Sequence, residues 1–288
     1  MATLKKRLGF TRTRSFVLFC IFGGGLFLFS VLQLPYIDID RFFCAADPWS
    51  IPGECYWFGK PGLMRNGMLL HLATILPAGA LVCFQFVPVL RRPQYRRFHR
   101  INGYTVLALS ALGTIGALII EKRAMGGITS NRIGTWIIAV GFAVTMTMAM
   151  ISIKKGRVDQ HRAWMLRGWF WATSIITMRL ILIPYAQFIG QPSRAISWSL
   201  PCSIIEYLHE SFPGTAQNPY PSCAAYISGE NPLQETLVTT NWDLNDLPGL
   251  TAALRVGYSV GGWAANFIHL VGIEIYIRKT APKRKIKV

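Results

Sequence analysis

Histidine and arginine side chains near basic turns form the first group of residues in this sequence that could carry chemistry. This inner group consists of His99, Arg100, His161, Arg162 and His269. Three imidazoles at one level of a membrane could ligate the iron of haem b or a divalent metal of unknown identity. Because imidazole titrates near neutral pH, they could instead hold a quinone or transfer protons. The alternative is that the arginines only anchor the chain at the headgroups and the histidines only begin helices.

A second, outer group lies within apolar stretches and consists of His71, Arg179 and Arg255, with Tyr185 nearby. An arginine in lipid is costly, and Arg179 has no obvious acidic partner within any apolar stretch. Its guanidinium must therefore meet helix carbonyls, water or an anionic ligand. We interpret the three residues as catalytic, with His71 as acid or base and Arg179 holding an anionic or oxygenated group. Arg255 could instead extend its side chain to the headgroups.

Six apolar stretches must position both groups, since a helix needs about 20 apolar residues to cross the hydrocarbon core. Backbone polar groups in lipid are satisfied only in helices or closed barrels, and these stretches lack the alternation of barrel strands. We predict an all-α bundle of six transmembrane helices in one domain, 1–288. The predicted spans are about 15–34, 66–90, 102–120, 133–153, 163–190 and 250–277.

The positions of the basic residues predict which way the bundle is oriented. The net charge of +17 would suit a nucleic-acid partner, but the charges lie in short clusters at the ends of apolar stretches, which excludes that class. Alternate connections and both termini carry 21 of the 30 Lys and Arg residues. The positive-inside rule therefore places both termini in the cytosol and makes the chain a multi-pass protein of the secretory pathway or plasma membrane. The basic tail Lys283–Lys287 is expected to bind anionic headgroups.

Four cysteines provide an independent indication of the outer side. They lie in two loops on the side opposite the basic clusters: Cys44 and Cys55 in the first, Cys202 and Cys223 in the last. Two disulfides are expected in an oxidising compartment, most simply within each loop, although bridges between the loops stay open. The last loop, 191–249, is long, and we predict a short helix near its residues 203–209.

Two features predict how the helices are arranged. The basic turns before the third and fifth spans resemble one another, each leading into a His-Arg pair, which places His99 and His161 at similar depth. His269 lies about 29 Å from the outer end of the sixth span, near the same level. Small residues at Gly113-x-x-x-Ala117 and Gly257-x-x-x-Gly261 predict close helix contacts.

The His and Arg pattern resembles a known family of membrane proteins. The residues that carry the resemblance are His71, Arg91-Arg92, His99-Arg100, Gly103 and Gln160-His161-Arg162-x-Trp164-Met165-x-Arg167, followed by Arg179. Over about residues 65–190 they are similar to the bacterial and fungal DUF2306 family. The resemblance implies a multi-helix membrane protein with these His and Arg positions as its shared signature, and it implies no established reaction.

Three hypotheses follow for the function. The first is a membrane oxidoreductase with haem or metal at the inner histidines. The second is a non-redox membrane enzyme that acts on a lipid-soluble metabolite through the outer group. The third is a carrier or assembly protein without catalysis. The lipid bilayer is the expected partner of all three, and a lipid-soluble small molecule is the expected ligand of the second.

Overall fold

The computed structural model of the chain describes residues 2–44, 51–215 and 220–280. Within these ranges six helices are long and apolar enough to cross a membrane, which confirms the predicted six-span all-α fold. They are span 1 Thr13–Leu32, span 2 Leu63–Gln85, span 3 Pro93–Ile120, span 4 Thr129–Lys154, span 5 Val158–Ile189 and span 6 Leu247–Thr280. The orientation of the termini stays a prediction, and the tail Lys283–Lys287 lies outside the described residues.

Several spans are interrupted, and shorter elements lie between them. Span 1 contains a π-helical turn, and span 5 is divided at Thr173 into Val158–Ala172 and Ser174–Ile189. The described strands are β1 (Ser197–Pro201) and β2 (Glu235–Thr239), which pair antiparallel. The remaining described helices and helical turns are Ala2–Arg7, Leu34–Ile37, Ile39–Phe43, Cys55–Phe58, Pro88–Arg91, Ala124–Gly127, Cys202–Ser211, Pro221–Cys223 and Ala224–Ile227.

Span 3 begins earlier than predicted, and its early start moves two candidate residues into the helix. The α-helix starts at Arg96, so His99 and Arg100 lie in its first turns and not in the preceding basic turn. Hydropathy assigns basic residues to turns, but a helix can continue through them because their long side chains reach the headgroups.

Small residues set the closest helix contacts, as predicted. A Cβ atom added at Gly257 would lie 2.8 Å from the Leu182 carbonyl oxygen, and one at Gly261 would lie 2.8 Å from that of Met178. Spans 5 and 6 therefore approach backbone to backbone. Spans 2 and 3 are packed at least as closely, since an added Cβ would lie 2.6 Å from the His71 backbone nitrogen at Gly116 and 3.0 Å from Thr74 Oγ1 at Gly113.

The outer loops fold over the outer end of span 6 and form a cap. The disulfides Cys44–Cys55 and Cys202–Cys223 close within each loop, which confirms the simpler predicted pairing. The predicted short helix is also present, as Cys202–Ser211, and its Ile204 and Leu208 are fully buried. The cap therefore has its own apolar core, continuous with that of spans 5 and 6.

Candidate functional site

Arg179 lies on span 5 with its side chain exposed, although the surrounding surface is apolar. Its Cζ atom is 5.0 Å from the centre of the Phe29 ring on span 1. It also interacts electrostatically with Tyr36, just beyond span 1, and with Tyr258 on span 6. Within the described parts of the chain Arg179 has neither a hydrogen bond nor an ion pair. We call Phe29, Tyr36, Arg179 and Tyr258 the outer site.

The two tyrosines give the outer site hydroxyl donors. Burial raises the pKa of Tyr36, and the charge of Arg179 only partly opposes this, so the phenol is protonated at neutral pH. No hydrogen bond of the described residues uses the hydroxyl of Tyr36 or Tyr258. A guanidinium with two phenols near it can bind an anionic or carbonyl oxygen and donate protons to it.

Arg255 is held differently from Arg179, because it has an acidic partner. Its Nη2 atom donates to Glu54 Oε1 at 3.0 Å, and both side chains are almost completely buried, at 1% and 3% exposure. The backbone N–H of Met125 donates to the other Glu54 oxygen at 2.8 Å. Glu54 also interacts electrostatically with Tyr258. The pair therefore joins the cap, the turn between spans 3 and 4, and span 6 directly beside the outer site.

The other two predicted outer residues, His71 and Tyr185, have no described contact with Arg179. His71 Nδ1 is 2.8 Å from the Gly113 carbonyl oxygen, so its ring faces span 3. No hydrogen bond among the described residues connects His71 with Arg179 or Arg255. Tyr185 stacks on Phe188 with ring centres 6.4 Å apart. The structure thus does not bring His71 and Tyr185 into the outer site, and the predicted catalytic role of His71 stays a prediction.

At the inner end, two of the three predicted imidazoles come together. His99 and His161 interact electrostatically, as their matching positions in the repeat suggested. His161 Nδ1 is 2.9 Å from the Ala149 carbonyl oxygen, which leaves its Nε2 available. His99 Nδ1 is buried without a hydrogen-bond partner. Arg162 faces Arg91, whereas Arg100 is exposed.

His269 is separated from these two and is fully hydrogen-bonded. Its Nε2 atom is 2.8 Å from Thr177 Oγ1, and its Nδ1 is 2.5 Å from the Phe170 carbonyl oxygen. The ring also stacks on Phe170. In the described ranges no three His, Cys, Asp or Glu side chains lie close enough together to hold a metal ion. The structure therefore does not join the three imidazoles into one group.

Sequence reasoning missed several residues that complete these arrangements. Phe29, Tyr36 and Tyr258 of the outer site are aromatic residues, which are common near membrane interfaces and so carry no special signal. Glu54 did carry one, because it directly precedes Cys55, which was predicted to form a disulfide in the first outer loop. Arg91 was named only within the family pattern, without a role in a site.

Comparisons with known proteins agree with the fold and extend the resemblance. The family model of DUF2306, a predicted membrane protein, matches residues 68–201. The Ava biosynthesis cluster protein G of Aspergillus versicolor is 22% identical to the chain, over 94% of this chain and 90% of that protein. No solved structure matches the chain. The resemblance seen in the His and Arg pattern is confirmed: residues 68–201 of this integral membrane protein, from span 2 to the end of β1, match the model of the DUF2306 family.

Proposed function

We propose that the protein is a non-redox membrane enzyme whose outer site binds a lipid-soluble metabolite through an anionic or carbonyl oxygen. The observation that carries the proposal is Arg179, which lies within a span yet has no acidic partner or hydrogen bond among the described residues. The contact with Phe29 can offset only part of the cost, since a cation–π contact at an exposed site contributes about 0.5–1 kcal/mol. An anionic or oxygenated ligand would supply the missing hydrogen bonds.

The chemistry that these side chains support is polarisation of an oxygen and proton transfer to it. Arg179 would stabilise negative charge that develops on a carbonyl or enolate oxygen. Tyr36 or Tyr258 would donate a proton to the same oxygen, because neither hydroxyl makes a hydrogen bond among the described residues. In the isomerisation of an apolar carbonyl compound to its enol, the phenolate formed by this proton transfer would take the proton that leaves the α-carbon, which restores the phenol.

The A. versicolor relative supports a metabolite as the ligand. Its name places it in a biosynthesis cluster, and the alignment covers nearly the whole of both chains. At 22% identity the relative supports a role in small-molecule biosynthesis and does not indicate which compound is bound.

The proposal is tested by what co-purifies with the protein. We expect organic extracts of purified wild-type protein to contain an oxygenated apolar compound that is depleted at least tenfold from Arg179→Met protein, as measured by mass spectrometry. Arg194→Met is the matched control, because Arg194 also lies over a phenylalanine ring, 4.1 Å from that of Phe188, but in an exposed loop. Equal recovery of all compounds from the three proteins would refute the proposal.

The haem or metal hypothesis remains a second candidate, favoured by the neighbouring His99 and His161. A histidine that binds iron through Nε2 commonly donates its Nδ1 proton to a backbone carbonyl, as the geometry of His161 allows. This candidate predicts a Soret band that shifts on reduction with dithionite and disappears in His161→Ala. A colourless, iron-free wild-type protein with normal folding would exclude the haem form.

A further inference from the structure

Four cationic or imidazole side chains gather at the inner end of the bundle, and the proposed function does not use them. They are Arg91, from the turn between spans 2 and 3, His99 at the start of span 3, and His161 and Arg162 at the start of span 5. We call them the inner cationic cluster. Three separate segments of the chain therefore direct basic groups to one place.

The two arginines of the cluster interact with each other, and neither forms an ion pair with an acid among the described residues. Arg91 interacts electrostatically with Arg162, and burial together with this like charge lowers the pKa of Arg91. The ion pairs of the described residues use Arg65, Arg132, Arg167 and Arg255. Asp159, the acid nearest to Arg162 along the helix, takes part in none of them. Two like charges held together in this way favour a bound anion.

The histidines add hydrogen-bonding atoms to the same place. Gln85 Nε2 donates to the His99 carbonyl oxygen at 3.1 Å and so fixes the backbone of His99. The buried Nδ1 atom of His99 nevertheless has no hydrogen-bond partner among the described residues, which costs free energy unless a ligand or water satisfies it. His161 keeps its Nε2 available, because its contact with Ala149 uses Nδ1.

We propose that the inner cationic cluster binds the phosphate group of an anionic membrane lipid. Paired guanidiniums suit a phosphate because each can donate two parallel hydrogen bonds to its oxygens. A lipid is the source that the position favours, because the cluster lies where spans 3 and 5 begin. Phe98 and Ile101 beside it are exposed, at 45% and 58%, and offer an apolar surface for acyl chains. The proposal is independent of the outer site.

The test compares lipids that differ only in their headgroup. Purified full-length protein in neutral phosphatidylcholine nanodiscs is titrated with phosphatidic acid, with phosphatidylserine and with inorganic phosphate, and the unfolding temperature is measured. We expect phosphatidic acid to raise the unfolding temperature most and inorganic phosphate to have little effect. The phosphatidic acid concentration needed for half the shift should rise about tenfold in Arg91→Gln and in Arg162→Gln.

Arg92→Gln is the matched control, because it removes the same charge from the same turn at a residue that has no described interaction with Arg162. Arg91→Lys keeps the charge and loses the paired hydrogen bonds, so it should weaken phosphatidic acid binding even if Arg91→Gln folds poorly. Equal weakening in Arg92→Gln would show that only surface charge is sensed and would overturn the proposal. If inorganic phosphate alone raises the unfolding temperature as much as phosphatidic acid does, the bound phosphate need not come from a lipid, and the proposal is overturned. A Soret band that disappears in Arg91→Gln would show that haem occupies the cluster, and it would overturn the lipid proposal as well.

Discussion

Arg179→Met protein is expected to lose binding of a lipid-soluble carboxylate while remaining at least as stable as the wild type. Methionine keeps an unbranched apolar chain and removes only the guanidinium. Hydrogen bonds to charged groups contribute about 1.5–3 kcal/mol, so the affinity for the fluorescent fatty acid cis-parinaric acid should fall about 10- to 100-fold. Its methyl ester keeps a carbonyl oxygen but lacks the charge, so its affinity should fall less in the variant than the affinity of the acid. Fluorescence titration in nanodiscs measures both.

The stability of the same variant separates a binding role from a structural one. Removing Arg179 costs the contact with Phe29, about 0.5–1 kcal/mol, but it also removes the cost of holding an unpaired cation in an apolar setting. We therefore expect an unchanged or higher unfolding temperature for the ligand-free variant. A marked drop in unfolding temperature would make Arg179 a structural residue and would contradict the proposed function. Arg194→Met should change neither measurement.

The fold was predictable from the sequence because the membrane imposes local rules. Each span is visible as its own apolar stretch, and the glycines of span 6 mark its contact face independently of the partner helix. Pairing of the cysteines within each loop was the simplest prediction, because it joins the two cysteines that are nearest in the sequence. The start of span 3 was placed at 102 and not at Arg96, because hydropathy reads the basic first turns as a loop.

The sites were predictable only in part, because they depend on which helices are neighbours. The matching His-Arg pairs placed His99 and His161 at one depth, and the structure brings them together. His269 lies at a similar depth by residue count but faces Phe170 and Thr177 in a different part of the bundle. Depth can be counted along a helix, whereas the direction in which a side chain points requires the packing of the whole bundle.

The Glu54–Arg255 ion pair connects the cap with the outer site. Glu54 interacts electrostatically with Tyr258 of the outer site while its carboxylate holds Arg255 and the Met125 amide. Met125 itself has a positive φ of 53°, which a non-glycine residue adopts at a cost. The contacts of Glu54 with Arg255 and with the Met125 amide thus hold the cap against span 6, next to Tyr258 of the outer site.

Breaking the Glu54–Arg255 pair is accordingly expected to be the most destabilising change of charge in the described chain. Glu54 and Arg255 lie 201 residues apart in the sequence and are both buried, so each protects the other from being an isolated charge in the interior. Loss of one partner of a buried pair typically costs about 3–5 kcal/mol. Glu54→Leu and Arg255→Leu should each lower the unfolding temperature strongly and reduce the yield of monodisperse protein.

The double variant Glu54→Leu/Arg255→Leu distinguishes an unpaired charge from lost packing. If the damage in each single variant comes from the remaining partner, removing both charges should restore most of the lost stability, because two apolar side chains can replace a buried pair at little cost. If the two single losses of stability add up in the double variant, the packing of the two side chains, and not an unpaired charge, is what stabilises the protein. Asp40→Asn, which breaks the solvent-exposed pair with Arg65, should leave the unfolding temperature unchanged and so controls for removing an acid from the same loop.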